Sequence, residues 1–134
     1  MGKVTVIVEK TSTGYSAFIP DVPGVASVAD TFGEVRDQMG EAVHLLLETA
    51  RLYRDPIPEV LRGDYLLEFK LDIQTFMQWM TKVISQRGLS EIAQINKSLI
   101  SQYASGIKKP SPKQLKKIET AIHRFAEDLH SISF

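Results

Sequence analysis

A chain of 134 residues has room for one domain or two small ones, and its ordinary apolar content makes a core available. The absence of cysteine excludes disulfides and thiolate metal sites, and no apolar run approaches the length needed to cross a bilayer. The 16 Lys/Arg and 16 Asp/Glu cancel, yet residues 1–80 carry 7 against 12 (net −5) and residues 81–134 carry 9 against 4 (net +5). An acidic front suits a basic protein partner and a basic back suits a polyanion, against the plain alternative of ordinary surface variation. Met1-Gly2-Lys3 leads straight into a strand-like run and not into a charged-then-apolar signal segment, so a cytoplasmic location is expected.

In chain order, residues 3–9 alternate Val4, Val6 and Val8 with mixed neighbours, which predicts a strand. Thr11-Ser12-Thr13-Gly14 reads as a turn, with Gly14 free to take positive φ, and residues 15–19 read as the second strand of a hairpin. A loop with two prolines and a glycine, residues 20–24, leads to a third short strand over 25–29. Thr31-Phe32-Gly33-Glu34 has capping-box form. Val35, Met39, Ala42, Val43, Leu46 and Leu47 follow at helical spacing, so this helix packs one face on the sheet. Pro56 and Pro58 end the region, and residues 65–71 alternate Leu67, Phe69 and Leu71 with Glu68 and Lys70, a fourth strand. The front, about residues 1–71, is expected to be a small antiparallel sheet with a packed helix.

The back, residues 72–134, reads as all helix. Asp72 can cap a helix predicted over 73–86, with Phe76, Met77, Met80, Val83 and Ile84 as its stripe and Gly88 as its stop. Residues 89–106 then give two short apolar-periodic helices joined by a tight polar turn and stopped by Gly106. Ser111 or Pro112 opens a final helix to about residue 129, striped by Leu115, Ile118, Ile122, Phe125 and Leu129. A helix pair whose second member carries small polar side chains fits the DNA major groove. In this reading Asn96, Lys97, Ser98, Ser101 and Gln102 face the groove. Gln102 is placed to pair with adenine and Lys97 to reach guanine or a phosphate, while Lys108 and Lys109 supply charge to the backbone. Two alternatives stand beside it: a structural or dimerising helical hairpin, and a basic cluster (Lys108, Lys109, Lys113, Lys116, Lys117) that is only a solvated face.

Three stretches together carry a family resemblance: residues 6–10 (Val-Ile-Val-Glu-Lys), residues 14–24 with their Pro20-Asp21-Val22-Pro23-Gly24 loop, and Asp30-Thr31-Phe32-Gly33-Glu34-Val35 followed by Glu41-Ala42-Val43. Over about residues 4–60 the chain resembles the HicB antitoxins. The resemblance implies a reduced ribonuclease-H-like fold and a role in binding and silencing a small basic ribonuclease toxin, HicA, which cleaves messenger RNA. Ile95-Asn96-Lys97-Ser98 and residues 103–111 are similar to a helix-turn-helix of the Xre type, which implies repression of the chain's own operon. The chain departs from that pattern in having Gln94 where the turn usually has glycine, and Ser90 where the first helix usually has a small core alanine.

No catalytic constellation stands out, and no cofactor or metal is expected. Glu9, Asp21, Asp30 and Glu34 are the carboxylates a two-metal nuclease would need, but each has a strand-end, loop or helix-cap explanation. His44 is alone on its helix, and His123 and His130 are seven apart, not at the i, i+4 spacing of helical metal ligands. Trp79 reads as core or dimer interface and Tyr103 as core. The expected protein is a binding module, at least a homodimer, joined through Phe125, Leu129 and Ile132 or through a sheet edge. A stand-alone interaction domain, or a DNA-binding regulator with no toxin, is the alternative.

Overall fold

The computed structural model describes residues 2–134, which divide into two compact units, one running to Asp72 and the other covering Ile73–Phe134.

In the first unit four strands lie in the order β3-β2-β1-β4. β1 (Gly2–Lys10) is central and pairs antiparallel with β2 (Tyr15–Phe18), which pairs antiparallel with β3 (Ala26–Ala29). β4 (Tyr65–Leu71) lies on the other side of β1 and runs parallel to it, Val4 against Leu67, Val6 against Phe69 and Val8 against Leu71. The sheet is therefore mixed, not antiparallel as the sequence predicts. Alternation of side chains reports which face a residue takes but carries no information on strand direction. The direction comes from the connection, because a parallel neighbour requires the chain to travel back to the same end. Here α1 (Phe32–Tyr53) makes that return.

The expected alternation holds the unit together. Val4, Val6, Val8, Tyr15 and Ala17 point to one face and are buried beneath Val35, Met39, Val43 and Leu47 of α1. At the start of α1 the Thr31 hydroxyl accepts the Glu34 amide at 3.1 Å, as the capping-box pattern predicts. The helix stops at Arg54, which takes a left-handed conformation (φ 55°) just ahead of the two prolines. The opposite face of the sheet carries Ile7, Phe18, Val28 and Leu66, of which the last three are exposed.

Gly14 corrects a further expectation. Its φ is not positive; the residue is needed for space, since a Cβ there would lie 2.2 Å from the Ala29 carbonyl oxygen on the neighbouring strand. The turn itself is closed by Thr11, whose amide donates to the Gly14 carbonyl and whose hydroxyl accepts the Gly14 amide, both at 2.9 Å.

The second unit holds four helices: α2 (Ile73–Met80), α3 (Gln86–Ala93), α4 (Lys97–Ser105) and α5 (Pro112–His130). Their core is Met77, Leu89, Ala93, Ile95, Ile100, Tyr103 and Ile118. The single helix predicted over 73–86 does not form. It ends at Met80, and Ser85 starts a new helix by accepting the Gly88 amide on its hydroxyl at 3.0 Å. Gly88, read as a stop, lies inside the first turn of α3, and Val83, read as a stripe residue, is 81% exposed. A local cap here overrides an apolar periodicity that runs on past it.

Candidate nucleic-acid interface

The junction between α3 and α4 is fixed by its own backbone. Ser90 donates its hydroxyl to the Ile95 carbonyl, and its carbonyl accepts the Ile95 amide at 3.2 Å. This explains a serine where an alanine is usual, since its polar atom has a partner within the turn. Gln94 takes the left-handed conformation (φ 56°, ψ 44°) and closes α3, which is the conformation a glycine adopts without strain. Its side chain donates to the Glu91 carbonyl at 2.8 Å, and Lys117 reaches over from α5 to donate to the Gln94 carbonyl at 2.9 Å. Ile95 is buried in the turn, so the entry to α4 is anchored in the core.

Asn96 then caps α4, its Oδ1 accepting the Ser98 amide at 2.8 Å. Ile100 and Tyr103 turn inward and are buried, as the sequence predicts for Tyr103. Leu99 and Ala104 are half-buried against the same core, and Lys97, Ser98, Ser101, Gln102 and Ser105 share the other arc of the helix. On that arc all are exposed except Gln102, which is half-buried. Ser105 is not among the residues expected to face the groove, although it lies four residues beyond Ser101, the spacing that keeps a helical face. Asn96 has part of its side chain committed to the cap, which leaves its amide NH2 for an outside acceptor.

α4 ends at Gly106, whose φ is 82°; a Cβ there would lie 2.5 Å from the Gln74 amide nitrogen of α2. Lys108 and Lys109 follow in the exposed link to α5, and Ser111 caps α5 by accepting the Gln114 amide at 3.2 Å. Between Ile92 and Ile118 the chain has six lysines and no carboxylate side chain. Two of the six have local partners: Lys116 pairs with Glu119 at 3.0 Å and Lys117 holds the Gln94 carbonyl. The stretch through α4 and into α5 thus carries lysines and small polar side chains, the residue types that meet phosphates and base edges in a duplex.

The other singled-out groups do not converge. Glu9, Asp21, Asp30 and Glu34 are all exposed, His44 pairs with Glu48 at 3.0 Å, and His123 and His130 are exposed on α5. Among the described residues no three His, Cys, Asp or Glu side chains are grouped to hold a metal. Trp79 is half-buried beside Phe76, with ring centroids 6.4 Å apart. Among the described residues no helix is long and apolar enough to cross a membrane.

Two family models match the chain. One, described as a HicB-like antitoxin of bacterial toxin-antitoxin systems, covers residues 4–100; the other, a helix-turn-helix, covers residues 84–124. The first match extends well past the residue 4–60 stretch that carries the resemblance in the sequence, and takes in α2, α3 and the turn into α4. No individual curated protein matches the chain at a significant level. The arc of α4, the basic flank and these two matches agree with one another: the chain belongs to the HicB-like antitoxin family and carries a helix-turn-helix in its C-terminal half.

Proposed function

We propose that the chain acts in the cytoplasm as an antitoxin that neutralises a HicA-like messenger-RNA-cleaving toxin and represses its own operon. In this reading residues 1–71 bind the toxin and residues 72–134 bind operator DNA. Asn96, Lys97, Ser98, Ser101 and Gln102 meet the major groove, and Lys108 and Lys109 hold the phosphates. The observation that carries the DNA half is the polar arc of α4, anchored from behind by buried Ile95, Ile100 and Tyr103 and flanked by a run of lysines with no acid among them. The toxin half is supported by family membership and by the net charge of −5 over residues 1–80, which favours association with a basic ribonuclease. None of these roles requires the chain itself to catalyse a reaction.

The DNA reading is tested by titrating the full chain against the duplex upstream of its own gene. Gln102→Ala is expected to cost about 1–3 kcal/mol and to relax the preference at one base pair. Replacing Lys108 and Lys109 together with Ala is expected to weaken binding to every sequence, and to lower the slope against salt by about 2. Two half-sites about one helical turn apart, or a multiple of it, are expected. Unchanged operator binding by both variants would leave the helix pair as a structural unit. The toxin half is tested by co-expressing the full chain with a small basic protein encoded beside it; failure to rescue growth would leave the regulator alone.

A further inference from the structure

In the second unit α5 packs on α3, and α4 packs on α2 and α3. Between the end of α3 and the length of α5 runs an open groove of about 1020 Å³, and no α4 side chain lines it. Its floor is apolar, with Ile92 and Ala93 from α3 and Ala121 and Phe125 from α5. Ile92 and Phe125 are half-buried, so each still shows apolar surface to whatever enters. The rim is cationic: Lys113, Lys116, Lys117 and Arg124 stand against the single carboxylate of Asp128. Lys116 is engaged by Glu119 and Lys117 by the Gln94 carbonyl, so Lys113 near one end and Arg124 near the other are the cations best placed to meet an incoming anion.

We propose that this groove holds an acidic amphipathic helix of a second protein, its apolar face on the floor and its carboxylates on the rim. Two helices wall the groove and neither offers a strand edge, so the occupant must satisfy its own backbone, which a helix does. The lining on α5 runs from Ser111 to Asp128, about 25 Å at the rise of a helix, which a ligand helix of about 17 residues would match. Ala93 and Ala121 keep the floor low enough for that helix to seat closely. Four cations against one acid select an acidic partner. Asp128 stands at the far end from Lys113, so the ligand's carboxylates gather toward the Ser111 end. A duplex suits the groove less well, because its phosphates would find an apolar floor where they need donors. A second copy presenting the same groove would set cation against cation. None of the residues assigned to the major groove or to the phosphates lines this cavity, so the proposal does not depend on the DNA reading.

The test is fluorescence anisotropy of a labelled helical peptide of about 17 residues, leucines on one face and glutamates on the other, titrated with the full chain to about 500 μM. The natural chain is expected to bind it with a Kd on the order of 10–100 μM, weakening as salt is raised. A peptide with lysine for every glutamate, and one of the same composition scrambled to remove the apolar face, are each expected to bind at least about tenfold more weakly. Phe125→Ala is expected to weaken the glutamate peptide about tenfold with unchanged far-ultraviolet circular dichroism. Lys113→Glu with Arg124→Glu, both at exposed positions, is expected to lower the preference for the glutamate over the lysine peptide at least about tenfold, a change that unfolding does not produce. No binding of the glutamate peptide, equal binding of the scrambled one, or variants that behave as the natural chain would overturn the proposal. So would displacement of the peptide by a DNA duplex, which assigns the groove to nucleic acid. Self-association that both the peptide and Phe125→Ala abolish would assign it to a second copy and overturn the proposal equally. A chain that binds the peptide but no operator defeats the DNA reading alone.

Discussion

Among the described residues Gln94 is one of two non-glycine residues with positive φ, the other being Arg54, and it stands at the hinge on which the α3–α4 geometry depends. The left-handed conformation costs an ordinary side chain about 1–2 kcal/mol, part of which a glycine would return as unfolded-state freedom. The Lys117 contact uses the backbone carbonyl and survives the change, while the side-chain bond to Glu91 is exposed and weak. Gln94→Gly is therefore expected to stabilise the second unit by about 0.5–1 kcal/mol, read as a higher urea midpoint with unchanged operator affinity. The sequence identified this position as unusual because the family pattern has a glycine there, but not what makes glutamine tolerable. What holds the turn in that conformation whichever residue stands there, the Lys117 contact to the backbone carbonyl, lies 23 residues away and beyond any local pattern. Gly14 has the same character: a turn glycine by sequence, but required by the Ala29 carbonyl of β3, which follows it only after β2 and a further loop.

At the scale of elements, the strands and the caps of α1 and α5 were legible because each rests on local chemistry: alternation over Val4, Val6 and Val8, hydroxyl caps at Thr31 and Ser111. The α2–α3 break was not, because the apolar spacing of residues 73–84 fits one helix and the competing signal is a single serine. That makes Ser85 an informative position. Ser85→Ala removes the partner of the Gly88 amide and is expected to destabilise the second unit by about 0.5–2 kcal/mol in urea unfolding, with Ser85→Asp recovering most of it. The DNA-facing residues divide in the same way. Lys97, Ser98 and Ser101 follow from helix periodicity, whereas the double duty of Asn96 as cap and candidate contact depends on where α4 begins, which spacing alone leaves open by a residue or two.

At the scale of the whole molecule, the division of charge places two chemistries on one chain, and each unit has its own core from which a surface is presented. The two cores are also built differently in time. The second unit closes through helices no more than two elements apart in the chain, α4 against α2 and α3 and α5 against α3, but the first cannot be complete until β4 has been added beside β1, with Val4 meeting Leu67 across nearly half of the chain. Pairings so distant fold slowly compared with local helices. Refolding from urea, followed by Trp79 fluorescence for the second unit and by Tyr15 or backbone circular dichroism for the first, is expected to show two phases with the sheet the slower; a single shared rate would contradict this. For a chain emerging from the ribosome the order is more demanding still. The first strand to be made must wait with one edge open until almost the last residue of its unit is synthesised, and during that wait it is a substrate for proteases and for wrong partners. The parallel β1–β4 pair thus sets a delay between making this protein and completing its first unit, and on the proposed function a toxin is unguarded for that interval.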